Sequence, residues 1–247
     1  MRCSRMSGDA HTERTTLLPA AARSGFLPVL LLLLGLYLVG PWVAGRPWGQ
    51  SAVIAGASLM LVLAARAAGG RRRVLLATQA VAVTLLAVHG LLRAAGSTRW
   101  AAVEDVLFAF LVLVALTLTL RNKVLRAHQV DADEIYAAVT AYLLLGVWWA
   151  SCYAFLDSLH LDPPAFSQDL AARDAAHDIA SNFGAALYYS YVTLTTLGYG
   201  DILPVHRIAR SLATLEALTG QLYIAVVMAR LITLYTSRPK GADRRGD

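Results

Sequence analysis

Charge is scarce in this chain. Asp, Glu, Lys and Arg make up 15% of its 247 residues. A water-soluble fold of this length needs more polar surface than that to cover its exterior. Cysteine is scarcer still: Cys3 lies in a polar lead and Cys152 inside an apolar run, so no disulfide framework is expected. The histidines (His11, His89, His128, His160, His177 and His206) show no HxxxH or HExxH spacing, which argues against a zinc centre. No nucleophile elbow occurs, and Ser, Cys and Asp are scattered. The chain is therefore not read as an enzyme, and no cofactor is expected. Missing too is any rhythm of Arg or Lys at every third residue through the apolar run 103–120. That absence excludes the charge array by which a helix senses membrane voltage.

What the chain has in plenty is apolar sequence, 57% by residue type, with a mean hydropathy of +0.54. Six stretches approach the roughly 20 apolar residues needed to cross a bilayer as a helix. They are 26–44, 51–65, 74–92, 103–120, 135–155 and 208–235. The polar lead before Phe26 is long and the first run is about span length, so a cleavable signal peptide is not expected. Basic residues cluster before the first stretch (Arg2, Arg5, Arg14, Arg23), after the second (Arg66, Arg71, Arg72, Arg73), after the fourth (Arg121, Lys123, Arg126) and after the sixth (Arg238, Lys240, Arg244, Arg245). The alternate connections carry fewer. Cytoplasmic loops collect Lys and Arg, so both termini are expected in the cytoplasm of a multi-pass cell-membrane protein. Nucleic-acid binding is the rival reading of the basic surplus, but these cations flank spans and form no groove-sized patch.

Along the chain, 1–24 reads as a cytoplasmic tail and 25–121 as a four-helix membrane unit. Segment 122–134 reads as an amphipathic connecting helix on the inner membrane face. A pore half, 135–236, and a short cytoplasmic tail, 237–247, follow. The loop 157–181 carries Asp157, Asp162, Asp169, Asp174 and Asp178 against Arg173. It is either an ordinary solvated loop or an acidic mouth that concentrates cations. Residues 182–195 make a helix too short to cross, with Ser181 or Asn182 as its cap. A glycine-rich stretch then runs Thr195-Thr196-Leu197-Gly198-Tyr199-Gly200-Asp201. Gly198 and Gly200 take positive φ at no steric cost, so successive carbonyls can face one way. Irregular backbone at membrane depth is tolerated only where it is buried in protein or lines a water-filled cavity.

This stretch resembles the TVGYG selectivity filter of potassium channels, with Leu197 in place of the usual Val. The likeness extends over about 130–235. It includes Ile135-Tyr136-Ala137-Ala138 and Leu215-Glu216-Ala217-Leu218-Thr219-Gly220-Gln221, which look like bacterial members of that family. The resemblance implies that the carbonyls of Thr196, Leu197, Gly198 and Tyr199, with the Thr196 hydroxyl, bind K⁺. It implies that Gly200 turns the chain, that Asp201 lies at the outer rim, and that Thr195 supports the filter from below. Tyr188 and Tyr189 fall where the family places aromatic residues that brace the filter. Val192 falls where some bacterial members carry a clamping Glu, so that clamp is absent.

Gly220 matches the inner-helix glycine that often acts as a hinge; the alternative is a small residue for close packing. Gln221, Ile224 and Met228 follow on the face expected to line the cavity. Glu216 is an intramembrane acid and so a candidate functional residue. It is expected to meet the pore helix, for example through Thr193 or Thr195, or to tune cavity charge; a satisfied structural hydrogen bond is the alternative.

These observations describe an all-α membrane protein with six transmembrane helices, a re-entrant pore helix and a filter. One strand per chain needs four copies to close a ring, so a homotetramer in the lipid bilayer is expected, passing K⁺ without steep voltage dependence. A weakly selective cation channel and a non-conducting regulatory or scaffolding membrane protein are the alternatives.

Overall fold

A computed structural model describes residues 25–44, 49–69, 101–125, 132–167 and 179–236, with single helical positions at Leu76, Ala80 and Thr84. Among the described residues there are six α-helices: α1 (Leu27–Ala44), α2 (Gly49–Ala67), α3 (Ala101–Thr119), α4 (Ala132–Ser158), α5 (Ile179–Leu194) and α6 (Arg207–Thr236). No β-strand occurs among the described residues. One isolated antiparallel bridge joins Phe166 and Pro204.

Among the described residues three helical segments are long and apolar enough to cross a membrane: Val106–Val124, Ala132–Ser158 and Arg207–Arg230. Apolar runs of this length satisfy their backbone groups within the helix, as hydrocarbon requires. α1 and α2 fall where the first two spans are expected. The expected third span, 74–92, lies outside the described residues apart from its isolated helical positions.

Branched and small side chains knit α1, α2, α3 and α4 together, among them Val29, Leu33, Leu61, Val112 and Leu144, all essentially buried. The front helices also rest on α5 of the same chain. Tyr37 of α1 meets Tyr191 edge-on at 5.2 Å between ring centroids. Phe108 of α3 meets Phe183 in the same way at 5.8 Å.

The two described ends of the expected connecting helix over 122–134 belong to neighbouring elements. α3 passes into a π-helical turn, Leu120–Val124, closed by Leu125 N–H donating to the Leu120 carbonyl at 2.7 Å. The chain bends at Leu125, residues 126–131 lie outside the described part, and α4 begins at Ala132. A π-turn leaves its last carbonyls without helical partners. Arg230 of α6 fills that need, with Nε donating to Val124 O at 2.7 Å and Nη2 to Leu125 O at 2.6 Å. Close by, the Asp133 carboxylate accepts from the Phe26 backbone N–H and from Lys123 Nζ, both at 3.0 Å. Asn122 Nδ2 donates to Ala68 O at 3.0 Å. The start of α1, the end of α2, the π-turn and the first turn of α4 thus meet at one end of the bundle.

α6 leaves Leu215, Leu218, Leu222, Val226 and Ile232 exposed in the single chain. A helix with that much bare apolar surface belongs against lipid or other protein.

Candidate functional site

The short helix between α4 and α6 is α5. Its 16 residues rise about 24 Å, short of a bilayer's roughly 30 Å core. It starts at Ile179, so Ser181 and Asn182 fall inside its first turn rather than at its cap. It ends at Leu194, and backbone N–H groups beyond it turn back onto its last carbonyls. Thr195 N–H donates to Tyr191 O and Thr196 N–H to Thr193 O, both at 3.0 Å. Leu197 and Gly198 share Val192 O, at 2.9 and 3.3 Å. A valine stands where related filters place a clamping acid, and its main chain does the holding.

Three residues in this stretch take left-handed φ, spaced two apart: Thr196 (60°), Gly198 (58°) and Gly200 (78°). Leu197 and Tyr199 between them do not. Alternating handedness sends successive N–H groups to one side and carbonyls to the other, whereas a strand alternates them. The glycines adopt this freely; for Thr196 it costs about 1–2 kcal/mol. Among the described residues no donor reaches the carbonyls of Thr196, Leu197, Gly198 or Tyr199. The side chains of Leu197 and Tyr199 are 59% and 67% exposed. The chain therefore builds a strained row of free oxygens and leaves two large side chains beside it uncovered.

The outer end of the loop is tied down at two places. Tyr188 Oη donates to Asp201 Oδ2 at 2.8 Å, and that bond holds the Asp201 carboxyl below its usual range. Around the Phe166–Pro204 bridge, Ser167 N–H donates to Leu203 O at 2.8 Å and Val205 N–H to Ala165 O at 2.9 Å. Leu203 N–H returns to Ser167 Oγ at 2.9 Å. Phe166 is buried, with its ring against Tyr153 and Tyr189. Of the two tyrosines expected to brace the filter, Tyr188 reaches Asp201, while the Tyr189 ring joins this aromatic box. His206 Nδ1 accepts the Ile208 N–H at the start of α6.

The inner end is set by Gly220. A Cβ there would lie 2.5 Å from Leu194 O and 2.9 Å from Leu194 Cδ1. α6 runs unbroken through Gly220, so the glycine serves close approach of α6 to the end of α5. Tyr142 Oη donates to the same Leu194 carbonyl at 3.2 Å. Gly146 of α4 plays a matching part, since a Cβ there would run into the Tyr191 ring. Tyr191 Oη donates to Leu143 O at 2.9 Å. Gln221, Ile224 and Met228 are exposed in the single chain.

Glu216 is held by structural hydrogen bonds. Its carboxyl is fully buried within one chain and does not stand on an open face, so it is not placed to tune cavity charge. It does meet the pore helix, through Ser190 rather than Thr193 or Thr195, with Oε1 2.6 Å from Ser190 Oγ. Oε2 lies 2.6 Å from Tyr153 Oη of α4. Sequence reasoning passed over Tyr153, Ser190 and Tyr142. The available signal was a hydroxyl within otherwise apolar helix faces, since such groups need partners once buried.

A family model described as Ion channel matches residues 138–237. The chain is 32% identical over 103 residues to the inward rectifier potassium channel Kirbac3.1 of Paramagnetospirillum magnetotacticum, covering 40% of this chain and 34% of that one. It is 28% identical over 135 residues to Protein LctB of Bacillus caldotenax, covering 51% and 94%. Protein LctB of Geobacillus stearothermophilus is 32% identical over 107 residues, covering 42% and 75%. The chain thus spans about a third of the inward rectifier's length and most of each LctB. No solved structure matches. The chain belongs to the potassium channel family, and the family model matches its C-terminal part, residues 138–237.

Proposed function

We propose that four copies of the chain form a K⁺-selective pore in the cell membrane, with six spans per copy and both termini in the cytoplasm. The free carbonyls of Thr196, Leu197, Gly198 and Tyr199 carry this reading. Once neighbouring copies cover the loop these carbonyls would need partners, and the described residues of this chain supply none. A dehydrated cation on an axis shared by four strands meets that need and is itself resolvated by the oxygens. The exposed Leu197 and Tyr199 support assembly, because neighbouring copies would cover them. In this reading Thr195, Asp201, Tyr188, Tyr189 and Val192 support the filter. Gly220 sets the approach of the inner helix to the filter base. Gln221, Ile224 and Met228 line the cavity or the inner gate. Residues 25–121 form a four-helix unit without voltage-sensing arginines, which makes steep voltage gating unexpected.

Purified protein in liposomes tests the reading. A K⁺ gradient against Na⁺ should give a reversal potential near that of K⁺, with block by Ba²⁺ and a particle mass of four chains. Reversal near zero with both ions favours a weakly selective cation channel. Silence of a correctly assembled particle favours a regulatory or scaffolding role.

A further inference from the structure

Glu216 of α6, Ser190 of α5, and Tyr153 and the Gly146 carbonyl of α4 form a junction that the filter chemistry does not use. Glu216, Ser190 and Tyr153 are 0% exposed. Three contacts hold it: Tyr153 Oη to Glu216 Oε2 at 2.6 Å, Ser190 Oγ to Glu216 Oε1 at 2.6 Å, and Ser190 Oγ to Gly146 O at 2.8 Å. Among the described residues no cation partners the carboxyl.

Each contact requires one hydrogen. Tyr153 has one to give and Ser190 has one, while the Gly146 carbonyl and an ionised carboxylate have none. With Glu216 ionised, Ser190 can serve the carboxylate or the carbonyl but not both. The remaining pair of oxygens would then face each other at hydrogen-bond distance with nothing between them. Oxygen separations of 2.6 Å suit either form of the acid. The hydrogen count suits one.

We propose that Glu216 is a carboxylic acid, and that it donates to Ser190, which donates in turn to Gly146, while Tyr153 donates to its other oxygen. The relay closes with every buried oxygen satisfied and no charge left in a low-dielectric interior. It joins the two full spans of the pore half to the helix that carries the filter. Ser190 lies one helical turn before Leu194, whose carbonyl abuts Gly220. Glu216 is thus a positioning residue: it holds α5 at a fixed height between α4 and α6. The position of Gly146 makes this possible, because a side chain there would push α5 away.

This inference deepens the proposed function and rests on it for the ion readout. The test combines infrared spectroscopy of the purified channel with liposome flux. The wild-type spectrum should contain a carboxylic-acid C=O band that shifts in D₂O and that Glu216→Gln loses. Loss of an ionised-carboxylate band instead overturns the proposal. Gln places a donating NH₂ and an accepting oxygen where the acid has its O–H and C=O, so Glu216→Gln should keep the K⁺ to Na⁺ permeability ratio within about twofold. Glu216→Leu or Ser190→Ala should lower it about tenfold, the equivalent of one buried hydrogen bond. Should Glu216→Leu fail to assemble, Ser190→Ala removes the relay with the loss of one oxygen. A Gln variant as impaired as the Leu or Ala variants overturns the positioning role. If wild-type protein shows no K⁺ preference, the reading of function falls, and the infrared band still decides the state of Glu216.

Discussion

Gly220→Ala is the substitution whose consequence the structure defines most closely. The new Cβ would sit 2.5 Å from the Leu194 carbonyl oxygen and 2.9 Å from Leu194 Cδ1. Ordinary contact for such a pair is about 3.4 Å or more, so the backbone must yield by roughly 0.9 Å. The obstacle is main chain, so a rotamer change cannot relieve it. Leu194 precedes Thr195 directly, and its carbonyl accepts from Tyr142, so the displacement reaches the base of the filter and strains that bond. Overpacking of this kind costs about 1–3 kcal/mol per site, roughly 5- to 150-fold in an equilibrium. Gly220→Ala should therefore lower the thermal stability of the assembled particle and degrade K⁺ over Na⁺ selectivity together. Melting followed by size-exclusion chromatography reads the first, and reversal potentials read the second. A hinge role predicts another pattern: altered open probability with selectivity and melting unchanged. That result would refute the packing argument.

Four further outcomes follow from the same contacts. Gly198→Ala forces a left-handed Cβ at φ 58° and should cost about 1–2 kcal/mol per subunit, read as loss of selective flux in liposomes. Tyr188→Phe removes the 2.8 Å bond to Asp201 and should shorten the lifetime of the conducting state in single-channel records. Because Asp201 is held below its usual range by that bond, the bond persists at neutral pH. It should be lost as pH falls through that lowered value, so acid should mimic the Phe variant and have little added effect on it. Arg230→Ala frees the Val124 and Leu125 carbonyls and should change open probability without changing selectivity. Arg230→Lys should not restore it, because an ammonium lacks the planar fork that reaches both oxygens.

The apolar runs made the helices of the pore half legible from composition, because spans must be both long and apolar. α4 and α6 begin and end within about three residues of expectation. The glycines of the loop were equally legible, since positive φ at Gly198 and Gly200 follows from the residue type. Thr196 was less so: nothing in a threonine announces φ 60°, which its neighbours impose. What escaped sequence reasoning was long-range. Tyr153 and Glu216 lie 63 residues apart, and Arg230 reaches carbonyls more than 100 residues away. Periodicity along one helix does not report such partners. The π-turn escaped for a related reason. Residues 120–124 carry helical propensity, and the widened turn is capped by α6 rather than by local sequence.

The central claim is that main-chain oxygens from Thr196 to Tyr199 surround a dehydrated monovalent cation on an axis between copies. A structure of the assembled protein in Rb⁺, with the ion located by its anomalous scattering, tests this directly. The account predicts peaks strung along a four-fold axis between those carbonyls. An assembly whose Rb⁺ lies elsewhere, or whose Tyr199 points into lipid away from any axis, would contradict it.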